Sequence, residues 1–286
     1  MKSPVGAEAE RVIPVSRITD WDDAYANGAH IAGGDAFPGI WAKEAEGYRA
    51  RMRAEGRMRT LRHGDDPRDE LDLFMPEGPA RGLALFVHGG YWKAFDRATW
   101  SHFAQGALAG GFATAVPSYP LAPEARIGAI TRSIARAVAV AAQEVAGPIQ
   151  LSGHSAGAHL VTRMAGRDSP LAADLRDRIS NVLTISGVHD LRPLLHTRMA
   201  AELRLDAEEA ARESPALDLP LDHVAVTVCV GAEERPEFLR QSRLLATLWG
   251  GAAERVTLHV VPERHHFDVI DILRDPDHPV MIDWLG

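Results

Sequence analysis

The chain is expected to fold as an α/β protein with a mostly parallel central sheet flanked by helices, and three observations carry that expectation. After residue 82, strand-like and helix-like segments alternate, the pattern that right-handed crossovers between parallel strands require. Several strand-like segments, above all Leu83-Ala84-Leu85-Phe86-Val87 and Val224-Ala225-Val226-Thr227-Val228-Cys229-Val230, are near-continuous apolar runs, as strands covered on both faces are. A Gly-rich turn, Gly153-His154-Ser155-Ala156-Gly157, joins the apolar run ending at Leu151 to an Ala-rich, helix-forming segment.

In chain order, Met1 to Asp20 has no apolar core of signal-peptide length, and no stretch approaches the apolar length that spans a bilayer. Residence in the cytoplasm is the resulting expectation. Residues 21–58 mix aromatics, glycine and charges, and residues 1–55 are expected to pack as helix and loop on a single domain spanning 1–286. Met58 to His63 and Glu70 to Met75 read as short strands at an antiparallel edge. Parallel strands are expected near Leu83, Ala113, Ile149, Val182, Val224 and Val256. The helical segments between them are Ala98 to Ala109, Ile127 to Val145, Ala156 to Met164 and Pro236 to Leu248. Leu191 to Pro220 is longer than a crossover needs, and forms either a small cap over the site or a passive surface excursion.

Composition narrows the function classes. With 31 Lys and Arg against 39 Asp and Glu, the 286-residue chain carries a formal net charge of −8. Its basic residues are scattered, which argues against nucleic acid or an anionic membrane as partner. A small-molecule substrate is expected, with a homodimer left open. The single cysteine, Cys229, excludes an internal disulfide and falls in a predicted core strand. No cofactor is expected.

The turn at 153–157 has the G-x-S-x-G pattern that, between a strand and a helix, lifts a serine hydroxyl out of the sheet. A second Gly-rich turn, His88-Gly89-Gly90-Tyr91-Trp92, follows the strand at Leu83. Attack of a serine on a carbonyl puts negative charge on the oxygen, and amides fixed in advance stabilise it. The amides of Ala156, Gly89, Gly90 and Tyr91 are the candidates. His88 is expected to brace its loop and not to act as base.

Ser155 then needs a base and an acid, in the order Ser, Asp or Glu, His that this kind of sheet uses. The last strand signal, Glu254 to Val261, precedes Pro262-Glu263-Arg264-His265-His266-Phe267-Asp268, so the base is His265 or His266. The strand before it leads into Gly231-Ala232-Glu233-Glu234-Arg235-Pro236, so the acid is Glu233 or Glu234. Tyr91, Trp92 and Tyr119 are candidates to line an aromatic side of the substrate site. Metal-dependent hydrolysis is disfavoured: His154 and His159 lie about 140° apart around a helix, and no His-Glu-x-x-His occurs.

The combination of His-Gly-Gly-Tyr-Trp (88–92), Ser-Tyr-Pro-Leu-Ala-Pro-Glu (118–124), Gly-His-Ser-Ala-Gly, Pro-Glu-Phe-Leu-Arg-Gln-Ser (236–242) and His-His-Phe-Asp resembles the kynurenine formamidase branch of the α/β-hydrolases, related to the hormone-sensitive-lipase-like esterases. The resemblance covers nearly the whole chain after residue 80, and Trp92 makes it specific. It implies Ser155 as nucleophile, His266 as base and Glu234 as acid, acting by two-step acyl transfer on N-formylkynurenine. The family usually has aspartate at the position of Glu234 and tyrosine at that of His189, so this chain departs at both. A carboxylesterase or lactonase would use the same machinery, and a noncatalytic interaction protein is the reading from another class.

Overall fold

The structure, a computed structural model, describes residues 17–286; the first sixteen residues of the expected N-terminal segment lie outside the described residues. Eight strands form one sheet: β1 (Met58–Arg62), β2 (Glu70–Phe74), β3 (Leu83–Val87), β4 (Ala113–Pro117), β5 (Ile149–His154), β6 (Ile179–Ile185), β7 (Ala225–Gly231) and β8 (Arg255–Val261). Their order is β1-β2-β4-β3-β5-β6-β7-β8. The β1–β2 and β2–β4 pairs are antiparallel, and every other pair is parallel.

Burial follows strand position. Every residue of β3, β4, β5 and β7 is buried, because helices cover both faces of the central sheet. The edge strand β1 carries exposed Arg59 and Thr60, side chains that discourage pairing with a further strand. Cys229 is buried in β7 as a free thiol.

Four longer helices matter for the site: α1 (Phe37–Ala54), α2 (Ile127–Glu144), α3 (Ala156–Met164) and α4 (Pro236–Trp249). Along α2 the buried residues Ile127, Ile130, Ile134, Val138 and Ala141 recur at the three- and four-residue spacing that makes one apolar stripe. On α1, Trp41, Ala45, Tyr48 and Met52 do the same, which fixes Trp41 over the sheet. The helix expected over Ala98 to Ala109 is instead three short pieces, Arg97–Trp100, Ser101–Ala104 and Gln105–Ala109. The Ser101 hydroxyl donates to the Arg97 carbonyl at 2.8 Å, a local bond that competes with a continuous helical ladder.

The sheet order also decides where a ligand can enter. The chain leaves β3 for β4 on one side and leaves β5 for β6 on the other. The loops at the carboxyl ends of these neighbouring strands therefore part, which opens a crevice there.

Candidate active site

Ser155 stands in that crevice, at the junction of β5 and α3, with φ 55° and ψ −117°. A non-glycine residue at this φ is strained and persists only because its surroundings hold it. The flanking glycines are required by contact: a Cβ on Gly157 would lie 1.9 Å from the Val87 carbonyl oxygen, and one on Gly153 would lie 2.3 Å from that of Gly157. The turn is thus clamped between β3 and the first turn of α3.

The loop after β3 approaches the same point. A Cβ on Gly89 would come within 3.1 Å of the Ser155 Cβ, and Gly90, Tyr91 and Trp92 all have positive φ, at 109°, 50° and 57°. Glycine takes that region freely, but Tyr91 and Trp92 need external support there. Tyr119 supplies part of it, its hydroxyl donating to the His88 carbonyl at 3.0 Å while its ring stacks on His88 at 4.4 Å. Trp92 supplies the rest through Nε1–H, which donates to His159 Nδ1 at 3.3 Å; His159 Nε2–H in turn donates to the Glu213 carbonyl at 2.6 Å. Both aromatic side chains are fully buried. They correct the expectation that Trp92 and Tyr119 line the substrate site: their polar atoms are spent on holding the loop. Of the three aromatics proposed, Tyr91 alone lines the cavity at Ser155. His88 braces the loop, with Nδ1–H donating to the Gly89 carbonyl at 2.7 Å.

Opposite Ser155, His266 occupies the turn after β8 and Glu234 the turn after β7. His266 Nδ1 lies 2.7 Å from Glu234 Oε2. The other carboxylate oxygen accepts from the Ser186 hydroxyl at 2.5 Å and from the Gly231 amide at 2.8 Å. Three donors thus fix a buried carboxylate. The alternatives are occupied elsewhere. Glu233 is exposed. His265 Nδ1 accepts from the Phe267 and Asp268 amides, which commits it to shaping the turn. His266 is also held from its backbone, since its carbonyl accepts from His154 Nε2 at 2.9 Å. Neither the Ser186 bond to Glu234 nor the His154 bond to His266 was expected from the sequence; both join different strands' loops, which no local pattern encodes.

Ser155 and His266 share the wall of a cavity of about 260 Å³, lined besides by Tyr25, Asn27, Trp41, Tyr91, Trp100 and Phe267. This is a small site by the usual standard of about 300–1,000 Å³. Its far wall comes from the loop Tyr25–Ala29 and from α1, not from Leu191 to Pro220, none of which lines it. The 191–220 excursion is anchored elsewhere. Glu209 accepts from Arg126 Nε at 2.8 Å and from the Gly128 amide at 3.1 Å, and Glu213 accepts from the Thr131 hydroxyl at 2.9 Å, so it sits on the first turns of α2. The cap over this cavity is the N-terminal loop. Tyr25 secures that loop by donating its hydroxyl to Glu237 Oε1 on α4 at 2.8 Å, a carboxylate also gripped by Arg240.

His189 lies outside the cavity too. It is fully buried, 3.0 Å from the Thr184 hydroxyl. A larger cleft of about 530 Å³ runs between Arg17–Ala24 and Arg235–Thr247, but it contains none of Ser155, Glu234 or His266. Among the described residues, no three His, Cys, Asp or Glu side chains form a metal-holding group. No helix among them is long and apolar enough to cross a membrane.

Burial sets the charge of four histidines in and around the site. It pushes His88 down to about 4, and His159 and His189 down to about 3, because each ring would lose its hydration if charged. His154 is held well below the ordinary histidine range, first by burial and then by the nearby His266. The unfolded chain takes up these protons near pH 6.5 and the folded protein refuses them until about pH 3–4. Stability is therefore fully present above pH 6.5 and lost as pH falls toward 4, by up to about 1.4 kcal/mol per pH unit for each such histidine. Urea midpoints measured from pH 8 to 4 should be flat above pH 7 and fall steeply below 6; a flat profile down to pH 4 would contradict neutral burial.

Comparison with known proteins agrees with the fold. A family described by its alpha/beta hydrolase fold matches residues 84–268. Kynurenine formamidase of Salmo salar is 28% identical over 239 residues, covering 79% of this chain and 81% of that protein. The enzyme of the same name from Danio rerio is 28% identical over 225 residues, 76% of each. Among solved structures, one from Silicibacter sp. tm1040, described as a candidate thioesterase, is 45% identical with a TM-score of 0.87, covering 93% of this chain and 99% of that one. An esterase of Pyrobaculum calidifontis has a TM-score of 0.65 at 16% identity, a likeness of fold alone. The chain is a hydrolase that resembles the kynurenine formamidases in sequence, and it belongs to the α/β-hydrolase family.

Proposed function

We propose that the protein is a serine hydrolase of the arylformamidase type, converting N-formyl-L-kynurenine to kynurenine and formate. The observation that carries the reading is the 2.7 Å contact of Glu234 with His266, on a wall shared with the strained Ser155 turn. With Glu234 accepting from Nδ1–H, the His266 tautomer keeps a free lone pair on Nε2 for the serine proton. Ser155 Oγ adds to the formyl carbon as that proton moves to His266. The amides of Gly89, Gly90, Tyr91 and Ala156 are the group that takes the developing oxyanion. His266 then gives the proton to the leaving aryl amine. Water, deprotonated by the same ring, adds to the formyl-serine, and formate leaves as Ser155 regains its hydrogen. No metal or cofactor takes part in the scheme.

Two features support an aromatic formamide. The relatives from Salmo salar and Danio rerio are kynurenine formamidases, and the small cavity is walled by Trp41, Tyr91, Phe95, Trp100 and Phe267, which suits one planar ring beside a one-carbon acyl group. A second reading, a thioesterase or carboxylesterase, is favoured by the 45% identity to the candidate thioesterase. One comparison separates them: kcat/KM for N-formyl-L-kynurenine, nitrophenyl acetate and a short acyl thioester. The formamide is expected to exceed the others by at least about tenfold, a margin of 1.4 kcal/mol in transition-state binding. Negligible turnover of the formamide beside rapid ester or thioester cleavage would overturn the proposal.

A further inference from the structure

Three buried polar atoms on the residues lining the cavity have no hydrogen-bond partner: Asn27 Oδ1, Trp100 Nε1 and His154 Nδ1. Buried polar groups are nearly always paired, so each of these calls for a reason. His154 Nδ1 is covered by the oxyanion-side loop, for a Cβ on Gly89 would stand 3.1 Å from it. Trp100 Nε1 is a donor only. Asn27 Oδ1 is the acceptor that remains.

The orientation of the Asn27 amide follows from its neighbours. The Tyr91 hydroxyl has one proton, and it is donated to the Tyr25 carbonyl at 2.5 Å. The Asn27 atom 3.3 Å from that hydroxyl must then be a donor, which makes it Nδ2 and leaves Oδ1 as the unpaired acceptor. The backbone is equally committed: Asn27 N–H donates to the Tyr25 carbonyl at 3.0 Å, and the Asn27 carbonyl accepts from His30 N–H at 3.0 Å. The side chain is therefore held at the cavity wall with one hydrogen-bonding valence open.

We infer that Asn27 is a specificity-determining residue whose Oδ1 accepts the N–H of an aryl amide substrate, so that the site favours anilides over molecules of the same shape lacking that hydrogen. The inference rests on the proposed arylformamidase reading and gives it a basis for preferring C–N over C–O substrates. An ester places an oxygen where the amide has N–H, and two acceptors would then face each other. That leaves Oδ1 unpaired in the complex, which costs affinity.

The test measures binding and so does not depend on turnover. In the Ser155→Ala protein, dissociation constants for formanilide and its ester isostere phenyl formate, read promptly after mixing, are taken from tryptophan fluorescence, since Trp41 and Trp100 line the cavity. Formanilide is expected to bind about tenfold more tightly, one neutral hydrogen bond's worth. Adding Asn27→Leu should bring the ratio to about one, and Asn27→Asp, which retains an acceptor oxygen in either protonation state, should preserve it. Asn27→Ala reads the same ratio should leucine unseat the loop. An equal ratio with and without Asn27, or no saturable binding of formanilide, overturns the inference. Failure of the arylformamidase reading looks different: the binding ratio stands while the wild-type protein leaves bound formanilide uncleaved.

Discussion

Ser155→Ala is expected to lower kcat by about 10⁴- to 10⁶-fold on whichever acyl substrate the wild-type protein turns over best. Alanine keeps the Cβ, so the turn at φ 55° and the clamp of Gly153 and Gly157 against their neighbours are unchanged. What disappears is the oxygen that, on the proposed mechanism, bonds to the acyl carbon. On the proposed mechanism, the residual rate comes from binding and from the amides proposed to hold the oxyanion, which remain. Thermal melting should shift little, since the side chain loses only a hydroxyl. Labelling with a fluorophosphonate gives a second reading: wild-type protein should react stoichiometrically and the variant not at all. Retention of more than about a tenth of kcat would remove Ser155 from the chemistry.

Glu234→Gln should cost about 10⁴-fold in kcat, while Glu233→Gln leaves it within about twofold. The reason is the tautomer. In the wild-type geometry Glu234 Oε2 lies 2.7 Å from His266 Nδ1, and its other oxygen accepts from Ser186 and Gly231. A glutamine can keep those last two bonds only with its carbonyl oxygen, which turns its NH₂ toward Nδ1. The ring must then present a lone pair at Nδ1 and carry its proton at Nε2, on the side meant to receive one from serine. The loss therefore falls on kcat far more than on KM. Glu233 is exposed, so its variant is the control. A loss confined to Glu233→Gln would reassign the acid to that residue.

Much of this was legible in the sequence, for reasons tied to particular residues. The apolar runs at Leu83 and Val224 read as strands covered on both faces, and the glycines of the 153–157 turn announced a backbone approach that a Cβ forbids. Local chemistry was less decisive over Ala98 to Ala109, where propensity favours one helix but Ser101 and close packing break it. At the candidate site, loop order left two acids and two bases open, and resemblance alone had preferred Glu234 and His266. Their 2.7 Å contact is a long-range fact, joining the ends of two different strands. The same limit explains the misplacement of the substrate wall. Trp92 and Tyr119 looked like ligand-facing aromatics because their motifs are unusual, whereas their polar atoms turn inward to hold the loop.

The sequence by itself determined the layered α/β class, the strained serine turn, the Gly-rich loop beside it and the order in which acid and base must follow. These are local properties, set by side-chain periodicity and by the steric freedom of glycine. Tertiary structure alone decided which carboxylate meets which imidazole, that Ser186 and His154 support them, and that the cavity is closed by Tyr25–Ala29 instead of by residues 191–220. Those outcomes depend on where separate segments come to rest, and buried hydrogen bonds such as Tyr25 to Glu237 and Glu209 to Gly128 fix that choice across more than eighty residues of chain.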